Sequence, residues 1–189
     1  MKEKKRNKIK DVANKLFSEK GFENTTTRDL AEAAGISNAA LYYYFQSKED
    51  LLYRIIHETI STGLSKIKEI EQSENSPKEK LFFYIEAFTK YYTIYPDRMK
   101  LLGQVQNSLT PTHNALLDDL RREYVKILVR ILKDLKKQGQ ISDIDTTICA
   151  FAFFGMVAWT YRWYNPKGKV KIDALVKIIT KIFTQGIFE

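Results

Sequence analysis

Residues Thr25 to Lys48 read TTTRDLAEAAGISNAALYYYFQSK. The first half, Thr27 to Ala34, places Leu30, Ala31 and Ala34 at the i, i+1, i+4 spacing of one helical face, with Thr26 or Thr27 as its N-cap. Gly35 stops that helix, because glycine reaches the left-handed conformation at a helix end without steric cost. A tight turn through Gly35-Ile36-Ser37 follows, and Ser37 can cap the next helix. That helix, about Asn38 to Phe45, turns Ile36, Leu41 and Phe45 toward a core. It leaves Asn38, Ala39, Ala40, Tyr42, Tyr43 and Tyr44 more exposed. Two short helices, a tight turn and an outer face of small and hydrogen-bonding side chains predict a helix-turn-helix that reads DNA.

The run T-T-x-R-D-L-A-x-x-A-G-I-S-x-x-x-L-Y-x-Y-F-x-S-K-x-x-L-L, ending at Leu52, closely resembles the DNA-binding segment of TetR-family transcriptional regulators. It has Gly35, Leu41, Tyr42, Phe45 and Lys48 at the family spacing. The resemblance implies that Thr27, Arg28, Tyr42, Tyr44 and Lys48 grip phosphates, while Ser37, Asn38, Ala39, Ala40 and Tyr43 face base edges in the major groove. Asn38 is the best base reader, since a carboxamide pairs bidentately with adenine. The resemblance also implies repression that a ligand relieves.

The charge distribution points the same way. The net charge is +8, and Met1 to Lys48 carries ten Lys or Arg against six Asp or Glu, half of that excess in a quarter of the chain. Six of the ten cations fall between Lys2 and Lys10, where a basic arm beside a helix-turn-helix would meet phosphates. A solvated, solubilising tail is the alternative for these lysines.

At 189 residues and 44% hydrophobic content the chain can bury a sizeable core. The single cysteine, Cys149, sits in an apolar run and reads as a buried thiol, so no disulfide framework is available within one chain. The charged start MKEKKRNKIK has no apolar segment behind it and is not a secretory signal. The longest uncharged run, Thr146 to Tyr161, is shorter than the roughly 20 residues a membrane span needs. A cytoplasmic protein without membrane association is expected.

Apolar residues recur at helical spacing throughout, and period-2 alternation bounded by hairpin turns is absent, so the fold class is all-α. About nine helices are expected, in a DNA-binding domain over 1–47 and a larger ligand-binding and dimerisation domain over 48–189. Helix one runs about Lys5 to Lys20 and ends at Gly21. The fourth starts after Ser47 and continues to about Glu71, with Leu51, Leu52, Ile55, Ile56, Ile60, Leu64 and Ile67 on its apolar side; its length suits a lever between the domains. Pro77 starts a helix to about Tyr95, residues 97–108 form a short one, and Pro111 starts a long one that Gly139 closes. One helix is expected from about Asp143 to Tyr164, apolar on nearly all sides, and a last one from about Ile172 to Phe188.

A helix apolar all round needs a cover. A homodimer pairing the last two helices of each copy in a four-helix bundle supplies it, and its two-fold axis suits a palindromic operator on double-stranded DNA. The aromatic-rich helices before and within this bundle make an apolar small-molecule pocket the natural ligand site. The segment A-W-T-Y-R-W-Y-N-P-K-G, Ala158 to Gly168, looks like a stretch found in TetR-family regulators that respond to acyl-CoA thioesters. That resemblance implies an acyl slot and cations for CoA phosphates. The candidate ligand residues are Phe88, Tyr92, Arg98, Leu102, Gln106, Arg121, Tyr124, Phe154, Trp159, Arg162 and Trp163. The alternative is a drug-responsive regulator of an efflux pump that binds aromatic or cationic compounds, with Glu86 as the acid to meet a cation. No catalytic constellation is present: His57 and His113 are the only histidines, with no HExxH, no cysteine pair and no glycine-rich phosphate loop. Neither enzymatic activity, cofactor nor metal is expected.

Overall fold

A computed structural model of the chain describes residues 2–104 and 108–188. Among these residues the regular structure is entirely helical: α1 Lys2–Lys20, α2 Thr27–Ala34, α3 Asn38–Tyr44, α4 Lys48–Gln72, α5 Pro77–Ile94, α6 Pro96–Gln104, α7 Pro111–Lys137, α8 Thr146–Ala158, α9 Thr160–Trp163 and α10 Ile172–Gln185. Local chemistry sets the starts. Thr26 Oγ1 accepts from the Asp29 amide at 3.1 Å while Asp29 accepts from the Thr26 amide at 2.8 Å, and Ser76 with Glu79 repeats this reciprocal cap on α5. Pro77, Pro96 and Pro111 each open a helix, where their missing N–H removes no bond.

Two compact units emerge, Met1–Ile60 with Asp97–Asp118 and Ser61–Pro96 with Asp119–Glu189. α4 is one uninterrupted helix with a buried face along its whole length: Leu51, Leu52, Ile55 and Ile56 belong to the first unit, Leu64, Ile67 and Ile70 to the second. The core of the first unit gathers Ile9, Ala13 and Phe17 of α1, Phe22, Leu30, Ala31, Leu41 and Phe45. Phe17 and Phe22 meet edge to face at 5.1 Å. α6 belongs to this unit, where Lys100 Nζ donates to the Ser18 carbonyl at 2.8 Å and Arg98 lies 3.4 Å from Asp11.

The second unit is built around Tyr84, Phe88, Leu128, Leu132, Phe153, Val157 and Phe183. The Tyr84 hydroxyl donates to the Tyr124 carbonyl at 3.0 Å, and burial pushes its pKa well up. The single helix expected from Asp143 to Tyr164 is instead two. Asp145 caps α8 by accepting from the Thr147 and Ile148 amides at 2.8 and 2.9 Å, so α8 starts only at Thr146. At the other end the Thr160 hydroxyl bonds the Val157 carbonyl at 2.7 Å, and α9 restarts as a single turn. The N-terminal helix is longer than expected, beginning at Lys2.

Candidate functional site

The turn between α2 and α3 is fixed from both sides. Gly35 takes φ 68°, its amide bonding the Glu32 carbonyl at 3.0 Å, and the Ile36 amide returns to the Ala31 carbonyl at 3.0 Å. This closing pattern needs a left-handed residue at Gly35. Ser37 Oγ then accepts from the Ala40 amide at 3.1 Å. Leu41 and Phe45 anchor α3, which leaves Asn38, Ala39, Tyr42 and Tyr43 exposed, Tyr43 at 68%. Ala40, Tyr44 and Thr27 are half-buried, and Arg28 is exposed.

Three residues assigned to DNA carry structural work as well. The Ser37 hydroxyl caps α3. Lys48 donates from Nζ to the Phe22 carbonyl at 2.9 Å and stands 4.2 Å over the Phe22 ring, bracing the chain ahead of α2 to the start of α4. The Tyr44 ring meets Tyr43 edge to face at 5.2 Å.

The second unit holds an open cleft of about 670 Å³, lined by the second half of α4, by α5 and by Tyr124 of α7. Ile67, Ile70, Phe83, Phe88, Tyr91 and Tyr95 make its surface mostly apolar, and Lys66, Glu69, Glu86 and Lys90 supply charge. Lys90 donates to Glu86 at 2.7 Å and to Asp173 of α10 at 2.9 Å; the Glu86 carboxylate, followed by Asp173, raises its pKa. At this point one cation is shared by two acids, Glu86 of the lining and Asp173 beside it.

Of the ligand residues read from the sequence, Phe88 and Tyr124 line this cleft. Behind it the structure gathers Tyr92, 4.6 Å from Phe88 between ring centroids, and Phe154, 5.0 Å from Phe88. Burial raises the pKa of the Tyr92 and Tyr124 hydroxyls. Arg121 acts on Tyr92 electrostatically. Trp159, Arg162 and Trp163 do not line the cleft: Arg162 stands 4.3 Å over the Trp159 ring, Trp163 meets Tyr164 edge to face, and the two indoles are 57% and 58% exposed. Arg98 and Leu102 belong to the first unit, Arg98 paired with Asp11, and do not line the cleft. Gln106 lies outside the described residues. Tyr91, Tyr95, Lys66, Lys90 and Gly63 were missing from the sequence-based set. Tyr91 and Tyr95 lie in the aromatic-rich stretch from which the pocket was expected, and Gly63 had a signal of its own: a glycine inside a long helix costs about 1 kcal/mol against alanine and asks for a reason.

Residues 9–55 match the model for bacterial regulatory proteins of the tetR family, and residues 74–187 match the tetracyclin repressor-like C-terminal domain. The chain belongs to the tetR family. Among its TetR relatives, the HTH-type transcriptional repressor KstR2 of Rhodococcus jostii (strain RHA1) is 32% identical over 97% of this chain and 91% of that protein. The crystal structure of the TetR family transcriptional regulator PfmR from Thermus thermophilus superposes with a TM-score of 0.87 at 30% identity, covering 94% of this chain and 97% of that one. AibR, solved in complex with isovaleryl coenzyme A and operator DNA, gives 0.85 at 25% identity over 95% and 98%. As a TetR protein the chain is a helix-turn-helix, DNA-binding regulator of transcription. Among the described residues no group of three or more His, Cys, Asp or Glu side chains is arranged to hold a metal, and no helix is long and apolar enough to cross a membrane.

Proposed function

We propose that this protein is a repressor that occupies a palindromic operator as a homodimer and leaves it when an apolar effector, an acyl-CoA thioester, fills the α4–α5–α7 cleft. The observation that carries the reading is the continuity of α4. The helix that begins at Lys48, with Leu51 and Leu52 in the core of the reading unit, also supplies Thr62, Gly63, Lys66, Ile67 and Ile70 to the cleft. A ligand that favours a different setting of its second half changes the position of its first half. Coupling of this kind amounts to about 1–3 kcal/mol, a 5–150-fold loss of operator affinity.

Dimerisation draws support from the exposed apolar face of α8 and α10. Ile148 and Phe151 are 70% and 60% exposed, and Ile178 and Ile182 are open as well. Several large apolar side chains left open on two helices that pack together are what an interface between copies would cover. Two copies would present their α3 helices to half-sites about 34–36 Å apart or a multiple of that. The acyl-CoA assignment is supported by the mostly apolar lining and by Lys66 beside it, and AibR is a relative whose complex holds isovaleryl coenzyme A.

A second reading, a lipophilic cation as effector, rests on Glu86 and Glu69 in the lining. The Lys90–Glu86 pair speaks against it, because a bound cation would have to displace an ammonium shared with Asp173. Thermal-shift titration with long-chain acyl-CoA and with lipophilic cations separates the two. Stabilisation by acyl-CoA together with release of bound operator DNA is expected. A shift with cations alone selects the second reading.

A further inference from the structure

The first two turns of α1 bury nothing. Lys2, Glu3, Lys4, Lys5, Asn7 and Lys8 are exposed, and the helix first enters the core at Ile9. Helices in proteins are held chiefly by packing of an apolar face, and this segment has none to offer. Its charges work against it too. Lys2 with Arg6 and Lys4 with Lys8 are like-charge pairs four residues apart, the spacing at which side chains on one helix are neighbours and repel. Among the described residues Lys10 alone of these cations is ion-paired, with Glu58, while Lys2, Lys4, Lys5, Arg6 and Lys8 have no acidic partner. Glu3 is the one acid before Asp11.

This uncompensated charge lies against the reading helix. Lys2 Nζ stands 4.8 Å from the centre of the Tyr43 ring, and the Arg6 guanidinium 5.5 Å from that of Phe45. Lys8 Nζ reaches to 4.0 Å of where a side chain would begin at Gly35, in the turn between α2 and α3. Lys2 and Arg6 thus lie against the C-terminal end of α3, and Lys8 lies near the turn that precedes it. We propose that residues 2–8 are a second DNA-contacting element, a helical phosphate clamp that grips the backbone beside the groove entered by α3. It would add affinity without sequence preference. The proposal rests on operator binding as read above and assigns contacts to residues that the motif itself does not contain.

The distinguishing measurement is the salt dependence of binding. Each neutralised phosphate contributes about 0.9 to the slope of log K against log salt concentration. The test replaces Lys2, Lys4, Lys5 and Lys8 together by glutamine, which keeps helix propensity, and uses a duplex that the wild-type protein has selected from a random pool alongside a scrambled duplex. The slope is expected to fall by about 2 to 4 per protomer, about 4 to 7 for a dimer, on both duplexes, with the helical circular dichroism and the preference between the duplexes unchanged. A control replacing Lys68, Lys126, Lys133 and Lys169 by glutamine removes the same net charge from the second unit and is expected to leave the slope as it was. An unchanged slope in the first variant overturns the proposal, and so does an equal fall in the control, which would make the effect one of total charge. Failure of the wild-type chain to select any duplex would instead overturn the operator-binding reading, and the clamp with it.

Discussion

The Tyr124 hydroxyl fills the notch left by Gly63 in the middle of α4. A side chain at Gly63 would collide with that hydroxyl and stand 3.1 Å from the Tyr91 ring. Both tyrosines line the cleft, so the absent side chain sets how closely α5 and α7 approach α4 there. Gly63→Ala gains about 1 kcal/mol of helix propensity and loses about 1–3 kcal/mol to overpacking. A net loss of stability in urea denaturation is expected, together with weaker effector binding because Tyr91 and Tyr124 are displaced. Unchanged effector affinity would separate the notch from the ligand site.

Asn38 and Lys48 should separate base reading from backbone contact. Asn38→Ala leaves the fold intact, since Asn38 is exposed, and is expected to relax preference at one base position by about 1–3 kcal/mol. Lys48→Ala should weaken binding to all sequences alike. It should also lower stability, because its ammonium holds the Phe22 carbonyl. Mobility shifts on single-substituted operators, read with melting curves, check both. Equal losses of Asn38→Ala on cognate and scrambled duplexes would remove its reading role.

The apolar face of α8 and α10 is expected to disappear on dimerisation. Phe151→Glu or Ile178→Glu should yield monomers in sedimentation at micromolar concentration while retaining helical content. The protein has two tryptophans, Trp159 and Trp163, both exposed on the segment that follows α8. Their emission is expected to shift to the blue with rising protein concentration in the wild type and not in Phe151→Glu.

Acid should unfold the protein through its helix caps. The Thr26 amide and hydroxyl hold the Asp29 carboxyl below its ordinary value of 3.8, the Ser76 hydroxyl and amide hold Glu79 below 4.5, and the Ile148 and Thr147 amides hold Asp145 below 3.8. A depressed carboxylate contributes its full stability above the unfolded value and loses it as pH falls through the folded one. Stability from these groups is therefore level above about pH 5 and declines below the ordinary values. Urea midpoints measured from about pH 2 to about pH 7 check this, and Asp29→Asn should flatten its share. Thr26→Ala should cost about 1 kcal/mol at neutral pH.

The sequence by itself determined the reading head. A helix-turn-helix is written in residues that act on their near neighbours: Gly35 at φ 68°, Ser37 as a cap, Thr26 with Asp29, and Leu30, Leu41 and Phe45 at fixed helical offsets. Those forces reach three or four residues along the chain and are legible without knowing what lies opposite. The apolar stripe likewise marked the face of α4 that turns inward, from Leu51 to Ile67. The tertiary structure decided which stripes meet. That α6 joins the first unit, that Arg98 pairs with Asp11, and that Trp159 and Trp163 stand at the surface while Tyr91 and Tyr95 line a cleft all depend on residues tens of positions apart. An aromatic side chain looks the same in sequence whether it fills a core, lines a cleft or lies exposed. Only its neighbours in space distinguish the three. The same holds for Lys48, whose charge was legible but whose bond to Phe22, 26 residues earlier, was not.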